Sequence, residues 1–291
     1  MHGFLCIDKP LGITSHDVVA AVRKISRIKR IGHAGTLDPG ASGVLVLAMG
    51  PTTRLIEYVQ DDTQKTYIAT ISLGSATDSD DADGAVIAML PVPALTATVL
   101  TTVISSFIGD IQQVPPKVSA LHVDGQRMYD LARKGIAPEL PARSVHIFSI
   151  TLHAWNATSI TLEVTCGKGT YIRSLARDIG VALGTVAHLA ALRRTAVGSF
   201  IIQESVSLDT LSSQGIAQWL KPNAVALAGW PIHRASANDI ALLSNGMPIM
   251  AAFSDGYRVA IVDESGELLA TALQRGTHLY PNKVFRWSET S

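Results

Sequence analysis

Charged side chains are scarce in this chain of 291 residues, and long apolar runs are absent from its sequence. Only 16% of the residues are charged and 47% are hydrophobic, a composition typical of a folded protein and not of a disordered one. No apolar run approaches the ~18 residues of a membrane-spanning helix. Asp8-Lys9-Pro10 interrupts the N-terminus before a signal-peptide core could form. We therefore expect a cytoplasmic protein with no membrane partner.

Metal-binding patterns are also lacking. The two cysteines, Cys6 and Cys166, form no Cys-x-x-Cys pair, and the nine histidines show no paired spacing, which excludes common zinc patterns and a disulfide framework. The acidic run Thr77–Gly84 is similar to a calcium loop. In the register such a loop requires, however, Ser79 would be the first ligand, and Leu90 would stand where a bidentate glutamate is needed. We expect no metal site here and an acidic surface loop instead.

The formal net charge is zero, but the charges are unevenly distributed. Residues 1–60 carry seven Lys/Arg against four Asp/Glu, and residues 110–200 carry ten against six, whereas residues 61–109 carry one against six. Basic clusters lie at Arg23–Arg30 and at Arg193-Arg194. Either cluster could follow the phosphates of a nucleic acid, although such runs more often lie on a solvated surface.

Hydrophobic periodicity predicts helices that alternate with strands, and hence an α/β (α+β) fold with a mixed sheet and flanking helices. A Thr14-x-x-Asp17 capping box precedes an apolar stripe, and a second stripe follows Gly169 with spacings of three and four residues. Strands are predicted where apolar residues follow one another without interruption or alternate with polar residues. The main predicted elements are helices at about 15–28, 98–108 and 172–183, and strands at 44–49, 65–73 and 160–166.

The character of the chain changes after about Pro222. Arg258–Asp263 and Leu268–Leu273 read as two strands of a hairpin, joined by a turn that contains Ser265-Gly266. We therefore predict a large N-terminal domain over residues 1–228 and a small β-rich C-terminal domain over residues 229–291.

The stretch GHAGTLDPGASGVL, which begins at Gly32, holds one acidic residue, Asp38. Asp-Pro-Gly is an ordinary turn sequence. His33 lies in the same predicted loop, and the surrounding glycines would let a bulky ligand approach the backbone. No lysine of a phosphate-binding loop is present. Asp38 could act as a nucleophile or base if a cation held it, and spacing does not choose among the candidates Arg54, Arg173, Arg193 and Arg194.

Seven sequence blocks, in order over about residues 4–200, together resemble the TruB family of tRNA pseudouridine synthases. Such an ordered set is far more specific than any single block. The blocks are Lys9-Pro-Leu-Gly-Ile-Thr-Ser15; GHAGTLDPGASGVLVLAMG with Thr53-Arg-Leu55; Lys65-Thr-Tyr67; Thr77-Asp78 with Asp83-Gly84; Val114-Pro-Pro116 with Ser119-Ala120 and Gly125; Tyr129 with Ala132-Arg133 and Gly135; and Lys168-Gly-Thr-Tyr-Ile-Arg173.

The resemblance implies a mixed, mainly antiparallel sheet of pseudouridine-synthase type and the isomerisation of uridine 55 in the T loop of tRNA. Because the reaction is redox-neutral, it implies no cofactor. The aspartate matching Asp38 is the family's nucleophile, which attacks the ribose at C1′ or the base at C6. The arginine matching Arg173 pairs with that carboxylate, and the tyrosine matching Tyr171 lies beside the sugar and accepts or donates a proton.

The resemblance also implies base flipping, with the target base displaced from the folded RNA loop. Tyr67 matches the aromatic residue that stacks on this base, and His33 matches the residue that fills the vacated place. Leu192 matches an apolar wall of the uracil pocket, and Lys9 belongs to the substrate site through the first block. Residues from about 113 to 140 match a thumb loop, and the C-terminal domain is similar to RNA-binding domains of the PUA type.

The partner implied is therefore the T-arm stem-loop of tRNA, bound by a monomer. Where many relatives have Tyr-Ser-Ala-Leu-Lys, this chain has Val118-Ser-Ala-Leu-His122, so a tyrosine and a lysine of the thumb region are missing. Two alternatives stay open. One is a guide-RNA-directed synthase, which the short segment before Lys9 and the small C-terminal domain disfavour. The other is a tRNA chaperone without catalysis, which would have no need of the full set Asp38, Tyr67, Tyr171 and Arg173.

Overall fold

The computed structural model describes residues 1–116 and 140–285 and, between them, the backbone of two paired strands, His122–Val123 and Gln126–Arg127. Most of the predicted thumb loop lies outside the described residues. So do the side chains at positions 118 and 122.

The helices of the described residues agree with the periodicity. The Thr14 side chain accepts a hydrogen bond from the Asp17 N–H at 3.1 Å, and Thr14 N–H donates to the Asp17 carboxylate at 2.8 Å, which confirms the predicted capping box. None of these helices is long and apolar enough to cross a membrane. The α-helices are α1 (Ser15–Ser26), α2 (Ile56–Asp61), α3 (Ala97–Ser105), α4 (Ile172–Ala182), α5 (Leu208–Gln214) and α6 (Ala237–Ser244), with short 3-10 helices at Gly50–Leu55, Ile202–Glu204, Ala217–Trp219 and Asn223–Leu227.

A large, mainly antiparallel sheet forms the body of the molecule, as predicted. Its strands are β1 (Gly3–Lys9), β2 (Ile31–His33), β3 (Ala41–Met49), β4 (Lys65–Leu73), β7 (Gly109–Gln113), β10 (Arg143–Trp155), β11 (Ser159–Cys166), β12 (Ala187–Val197), β13 (Phe200–Ile201) and β14 (Leu220–Lys221). The strand order is β14-β1-β3-β12-β4-β11-β10-β7, with β2 beside β3 and β13 beside β12; β3 and β12 are parallel.

Smaller sheets complete the described fold. Two hairpins stand apart from the large sheet, and five strands near the C-terminus form a sheet with the order β15-β17-β18-β19-β16. The predicted hairpin of β17 and β18 is antiparallel, as expected. These strands are β5 (Ser75–Thr77), β6 (Val86–Met89), β8 (His122–Val123), β9 (Gln126–Arg127), β15 (Ile232–Arg234), β16 (Ile249–Met250), β17 (Arg258–Val262), β18 (Leu268–Arg275) and β19 (His278–Val284).

Two apolar clusters fasten helices to the large sheet and thereby position the site. Helix α4 buries its predicted stripe against β12 and β4, so that Ile172, Leu175 and Ile179 join one core. Helix α1 buries Val18, Val19 and Val22 against β1 and β3 in another core. The two helices begin close to the chain segments that carry Tyr171 and Asp38, so burial of their apolar faces fixes where these polar residues lie.

Candidate active site

Asp38 opens a tight turn between β2 and β3. The Ala41 N–H donates to the Asp38 carbonyl at 3.0 Å, which confirms the predicted Asp-Pro turn. The Ser15 hydroxyl, at the start of α1, accepts from the Leu37 N–H at 2.9 Å and donates to the Leu37 carbonyl at 3.1 Å. The residue before Asp38 is thus held by a buried side chain, while the Asp38 side chain itself is 55% exposed.

Arg173 is the cation that reaches Asp38. From the first turn of α4 its Nη2 lies 3.1 Å from Asp38 Oδ2, and its Nη1 lies 3.2 Å from both Asp81 Oδ2 and the Ser79 carbonyl. The Arg173 side chain is 9% exposed, and a carboxylate pairs with each of its two Nη atoms. A planar guanidinium fixed by two carboxylates sets the direction of the Asp38 carboxylate at the cavity.

The segment Thr77–Gly84 is only in part the acidic surface loop that the sequence predicts, because Asp78 and Asp83 are exposed but Asp80 and Asp81 are not. Asp80 pairs with Arg177 at 2.8 Å and is 14% exposed, and Asp81 reaches Arg173 and is 21% exposed. Burial raises the pKa of Asp80, and Arg177 acts in the opposite direction. Sequence reasoning missed this contact, although a signal was present: Arg173 and Arg177 stand four residues apart on one face of the predicted helix.

A cavity of about 560 Å³ brings together five of the seven predicted site residues. Within residues 1–116 and 140–285, no group of three or more His, Cys, Asp or Glu side chains is arranged to hold a metal ion. The predicted residues in the cavity wall are Asp38, Tyr67, Tyr171, Arg173 and Leu192; further polar residues there, which the sequence did not single out for this site, include Lys65, Arg143 and Lys168.

Arg194 also lines the cavity but is only 1% exposed. Its Nε donates to the Val44 carbonyl at 2.7 Å, and its Nη atoms lie 3.3 Å from the carbonyls of Gly35 and Thr36. The neighbouring Arg193 pairs with Asp8 at 2.8 Å. The idea that Arg193-Arg194 forms a phosphate track is therefore wrong for Arg194, because its donors are directed to backbone carbonyls in the interior.

Tyr67 and Lys65 project from the same face of β4, two residues apart, as the period of a strand requires. Burial raises the pKa of the Tyr67 phenol, so this group stays protonated at neutral pH. Burial and the charge of Arg194 lower the pKa of the Lys65 ammonium, which donates to the Gln60 carbonyl at 3.0 Å.

Tyr171 is the residue from which α4 begins, and Gln113 holds its backbone at two points. The Gln113 Nε2 donates to the Tyr171 carbonyl at 3.0 Å, and the Tyr171 N–H donates to Gln113 Oε1 at 2.8 Å. The Arg143 guanidinium lies over the Tyr171 ring, 4.6 Å from its centroid. The position of this tyrosine is set by a buried amide on one side and a cation on the other.

His33 and Lys9 lie outside the cavity wall. His33 is not in a loop, as the sequence suggests, but ends strand β2, opposite Leu47. Its ring is 5.6 Å from the His16 ring, and among the described residues its buried Nδ1 has no hydrogen-bond partner. Burial, followed by the charge of His16, lowers the pKa of His33.

Lys9 is fully buried, and its ammonium donates to the carbonyls of Pro10 at 2.9 Å and Ile13 at 2.7 Å. Burial lowers its pKa, while the charge of Asp38 acts in the opposite direction. In this position Lys9 holds the loop that leads into α1. Direct contact of Lys9 with a substrate stays a prediction.

The glycines around Asp38 mostly face protein atoms, and not an open surface for a ligand as predicted. A Cβ on Gly43 would lie 2.1 Å from the Arg194 carbonyl oxygen, one on Gly32 2.7 Å from Ile56 Cδ1, and one on Gly40 3.1 Å from Asp83 Oδ2. Gly35, at the cavity wall, is the exception.

The chain matches two family models. Residues 23–172 match the TruB family pseudouridylate synthase (N terminal domain), and residues 173–223 match the tRNA pseudouridylate synthase B C-terminal domain.

Curated relatives are similar over most of their length. A protein of Trichormus variabilis called tRNA pseudouridine synthase B is 46% identical over 225 residues, which is 76% of each chain. A protein of the same description from Thermobifida fusca is 41% identical over 294 aligned positions, which cover 98% of this chain and 99% of the relative.

Two solved structures share the fold. A crystal structure of a Cbf5-Nop10-Gar1 complex holds a chain that is 26% identical with a TM-score of 0.75, covering 98% of this chain and 85% of the other. A structure of the archaeal box H/ACA sRNP Nop10-Cbf5 complex gives 26% identity and a TM-score of 0.73, with coverage of 98% and 86%.

Proposed function

Because the chain belongs to the TruB family of pseudouridylate synthases and is a tRNA pseudouridine synthase, we propose that it isomerises uridine 55 in the T loop of tRNA with Asp38 as nucleophile. The observation that carries the proposal is the ion pair of Asp38 with the buried Arg173 at a cavity that also holds Tyr67 and Tyr171. The volume of about 560 Å³ suits one extruded nucleotide.

The reaction breaks the N1–C1′ glycosidic bond and forms a C5–C1′ bond, with loss of the proton on C5 and gain of a proton on N1. No electrons enter or leave, so the side chains of the site supply what is needed. Asp38 attacks C1′ of the ribose or C6 of the base and so retains the detached fragment while the base turns. Arg173 holds the carboxylate in the direction of attack through its ion pair with Asp38.

Tyr171 is the group we assign to proton transfer. It lies in the same cavity wall as Asp38, and Gln113 fixes its backbone, so a base that turns beside Asp38 would present C5 to it. A fixed phenol in reach of the leaving proton is what general base catalysis requires.

We assign the remaining roles in substrate binding to four further residues. The Tyr67 ring stacks on the uracil, and Leu192 closes the pocket as its apolar wall; both line the cavity. His33, at the end of an edge strand and outside the cavity, enters the RNA loop where the uridine has left it. Lys9 holds the loop that leads into α1 through its hydrogen bonds to the carbonyls of Pro10 and Ile13.

The proposal includes action as a monomer on the T-arm stem-loop in the cytoplasm. A single chain supplies every side chain named at the cavity. Both cysteines are free and buried, which suits a reducing compartment. The thumb loop and the C-terminal sheet are the remaining parts we assign to RNA contact.

The first test replaces Asp38 by asparagine, which keeps the shape of the side chain and removes the nucleophile. We expect Asp38→Asn to abolish pseudouridine formation on a T-arm hairpin and to change RNA affinity by less than about tenfold, or ~1.4 kcal/mol. Pseudouridine is mapped by position in the product, and affinity is measured by titration of the same hairpin.

Asp110→Asn is the matched control, because the Asp110 side chain is 77% exposed and lies outside the cavity. Turnover that persists in Asp38→Asn would remove Asp38 from the nucleophilic role. A wild-type protein that binds the hairpin but forms no pseudouridine would favour the chaperone alternative. Activity that appears only after addition of a guide RNA would favour the guide-directed alternative.

A further inference from the structure

Gln113 and Arg143 are cross-strand partners at the edge of the large sheet, on β7 and β10. Both contact Tyr171, although neither lies near it in sequence. The fully buried Gln113 holds the Tyr171 backbone with two hydrogen bonds, and the Arg143 guanidinium covers the ring. Gln113 therefore holds the backbone, and Arg143 the side chain, of one residue of the proposed active site.

The Arg143 guanidinium has more hydrogen-bond donors than it uses among the described residues. Of the five N–H groups of its guanidinium, one Nη2 N–H donates to the Gly169 carbonyl. In the part of the chain that the structure describes, the buried Nε has no acceptor. A buried N–H without a partner is unfavourable, and this one belongs to a side chain in the cavity wall.

The carboxylates at the same cavity are already paired. Asp38 pairs with Arg173 at 3.1 Å, and Asp61 pairs with Lys168 at 3.6 Å. Among the described residues, no ion pair is formed by Arg143. An anion for this guanidinium is therefore expected from the substrate, and the anionic group of an RNA substrate is the phosphodiester.

We propose that Arg143 binds one of the two phosphates that flank the target uridine and, in the same position, holds the Tyr171 ring for catalysis. The proposal rests on the function proposed above. A guanidinium can do both, because its edge presents parallel N–H groups that match phosphate oxygens, while its face lies on an aromatic ring. Binding of the nucleotide backbone would thus be coupled directly to the orientation of Tyr171.

The test combines a protein variant with a modified RNA. T-arm hairpins are prepared with a neutral methylphosphonate linkage on the 5′ or the 3′ side of the target uridine, and their affinities are measured with Asp38→Asn proteins that carry Arg143 or Arg143→Gln. With Arg143, we expect one of the two neutral linkages to weaken binding about tenfold. With Arg143→Gln, binding of the unmodified hairpin falls by a similar factor, and the neutral linkage has no further effect.

Three controls sharpen the result. Arg143→Lys keeps the charge but lacks the planar face, so we expect it to recover most of the affinity while kcat stays reduced; it also replaces the glutamine variant should that one fail to fold. Gln113→Met is expected to lower kcat without changing the response to either linkage. Lys221→Gln removes a cation on β14, at the opposite edge of the large sheet from β7 and outside the cavity, and is expected to change neither kcat nor this response.

The proposal would be overturned if each neutral linkage reduced affinity by the same factor in the Arg143 protein as in the Arg143→Gln protein. Full kcat in Arg143→Gln would overturn the coupling to Tyr171. Because affinity is measured in the Asp38→Asn background, the test does not depend on the role of Asp38. Failure of the proposed function would appear separately, as absence of pseudouridine from the wild-type enzyme.

Discussion

At the scale of single residues, His33 shows how burial sets a charge state. Its ring lies at the edge of the large sheet, where burial and the charge of His16 lower its pKa. A neutral imidazole can enter an RNA loop between bases without carrying a desolvated charge. In the unfolded chain the same imidazole has an ordinary pKa of about 6.5.

Because the pKa of His33 is lower in the folded protein than in the unfolded chain, we expect the protein to lose stability in mild acid. Above about pH 7.5 both states are neutral, but as the pH falls below ~6.5 the unfolded chain binds a proton that the folded state resists. The free energy of unfolding should therefore decrease between about pH 7.5 and pH 5, and His33→Gln should make this decrease smaller. Urea denaturation at several pH values measures the effect, with the half-exposed His153→Gln as control. An unchanged pH dependence in His33→Gln would contradict the assignment.

The sequence offers four arginines as candidate ion-pair partners of Asp38, and in the structure they have different partners. Arg54 donates to the Val284 carbonyl at 2.7 Å, Arg193 pairs with Asp8, and Arg194 is turned to backbone carbonyls. Only Arg173 among these four reaches the Asp38 carboxylate. The distinction depends on where each side chain is directed from its strand or helix, which one-dimensional spacing does not encode.

At the scale of elements, the parallel pair of β3 and β12 depends on Gly43. Gly43 lies opposite Arg194 in this pair and has a φ of 101°. A Cβ there would lie 2.1 Å from the Arg194 carbonyl oxygen, so a side chain would push the two strands apart. The same contact keeps the Arg194 guanidinium directed at Gly35 and Thr36, just before Asp38.

We therefore expect Gly43→Ala to be far more destabilising than a glycine change that strains the backbone alone. Strain from the positive φ and the steric clash together should cost about 3 kcal/mol or more. Gly266→Ala is the matched control, since Gly266 has a φ of 86° with nothing within 4 Å of its Cβ position, and should cost about 1 kcal/mol. Urea denaturation compares the two. Similar losses in both variants would show that the contact with Arg194 relaxes easily.

Helix α4 unites three parts of the site. Its apolar stripe fixes it on the sheet, Tyr171 stands at its start, and Arg173 and Arg177 reach the segment that holds Asp80 and Asp81. One amphipathic helix thus places both Tyr171, the proposed proton-transfer group, and the partner of the proposed nucleophile.

At the scale of the whole molecule, the C-terminal sheet shares a core with the body. Ala260, Val262 and Leu268 of this sheet belong to the same apolar cluster as Phe4 and Phe200. At the boundary, Arg258 pairs with Asp62 at 2.7 Å, and the rings of Tyr58 and Trp230 lie 5.0 Å apart. The division of the chain at residues 228 and 229 stays a prediction, and this apolar contact couples the positions of the two sheets.

Charge is also a property of the whole surface. The net charge is zero, yet five cations and two carboxylates line the cavity. The exposed side chains of Lys24, Arg27 and Lys29 form a second basic region at the end of α1. An RNA that bridges these regions would release counterions from several phosphates.

RNA affinity should therefore fall steeply between about 50 and about 200 mM salt. Lys168→Gln, which removes a 65% exposed cation at the cavity, should reduce the slope of log affinity against log salt concentration by about one. Titrations of the T-arm hairpin with the Asp38→Asn protein provide the measurement. A flat salt dependence would count against both basic regions as parts of the RNA path.

The sequence by itself determined the main elements and the family. Apolar periodicity reports local burial, so α1, α4, β4 and β11 were predictable within a few residues, and the ordered blocks identified the family. The tertiary structure decided which groups meet. Several contacts at the site join residues far apart in the chain. Arg173 pairs with both Asp38 and Asp81, Arg194 is buried against backbone carbonyls, and Gln113 and Arg143 contact Tyr171. Such contacts arise only when helices and strands pack, because packing alone sets the direction and the surroundings of each side chain.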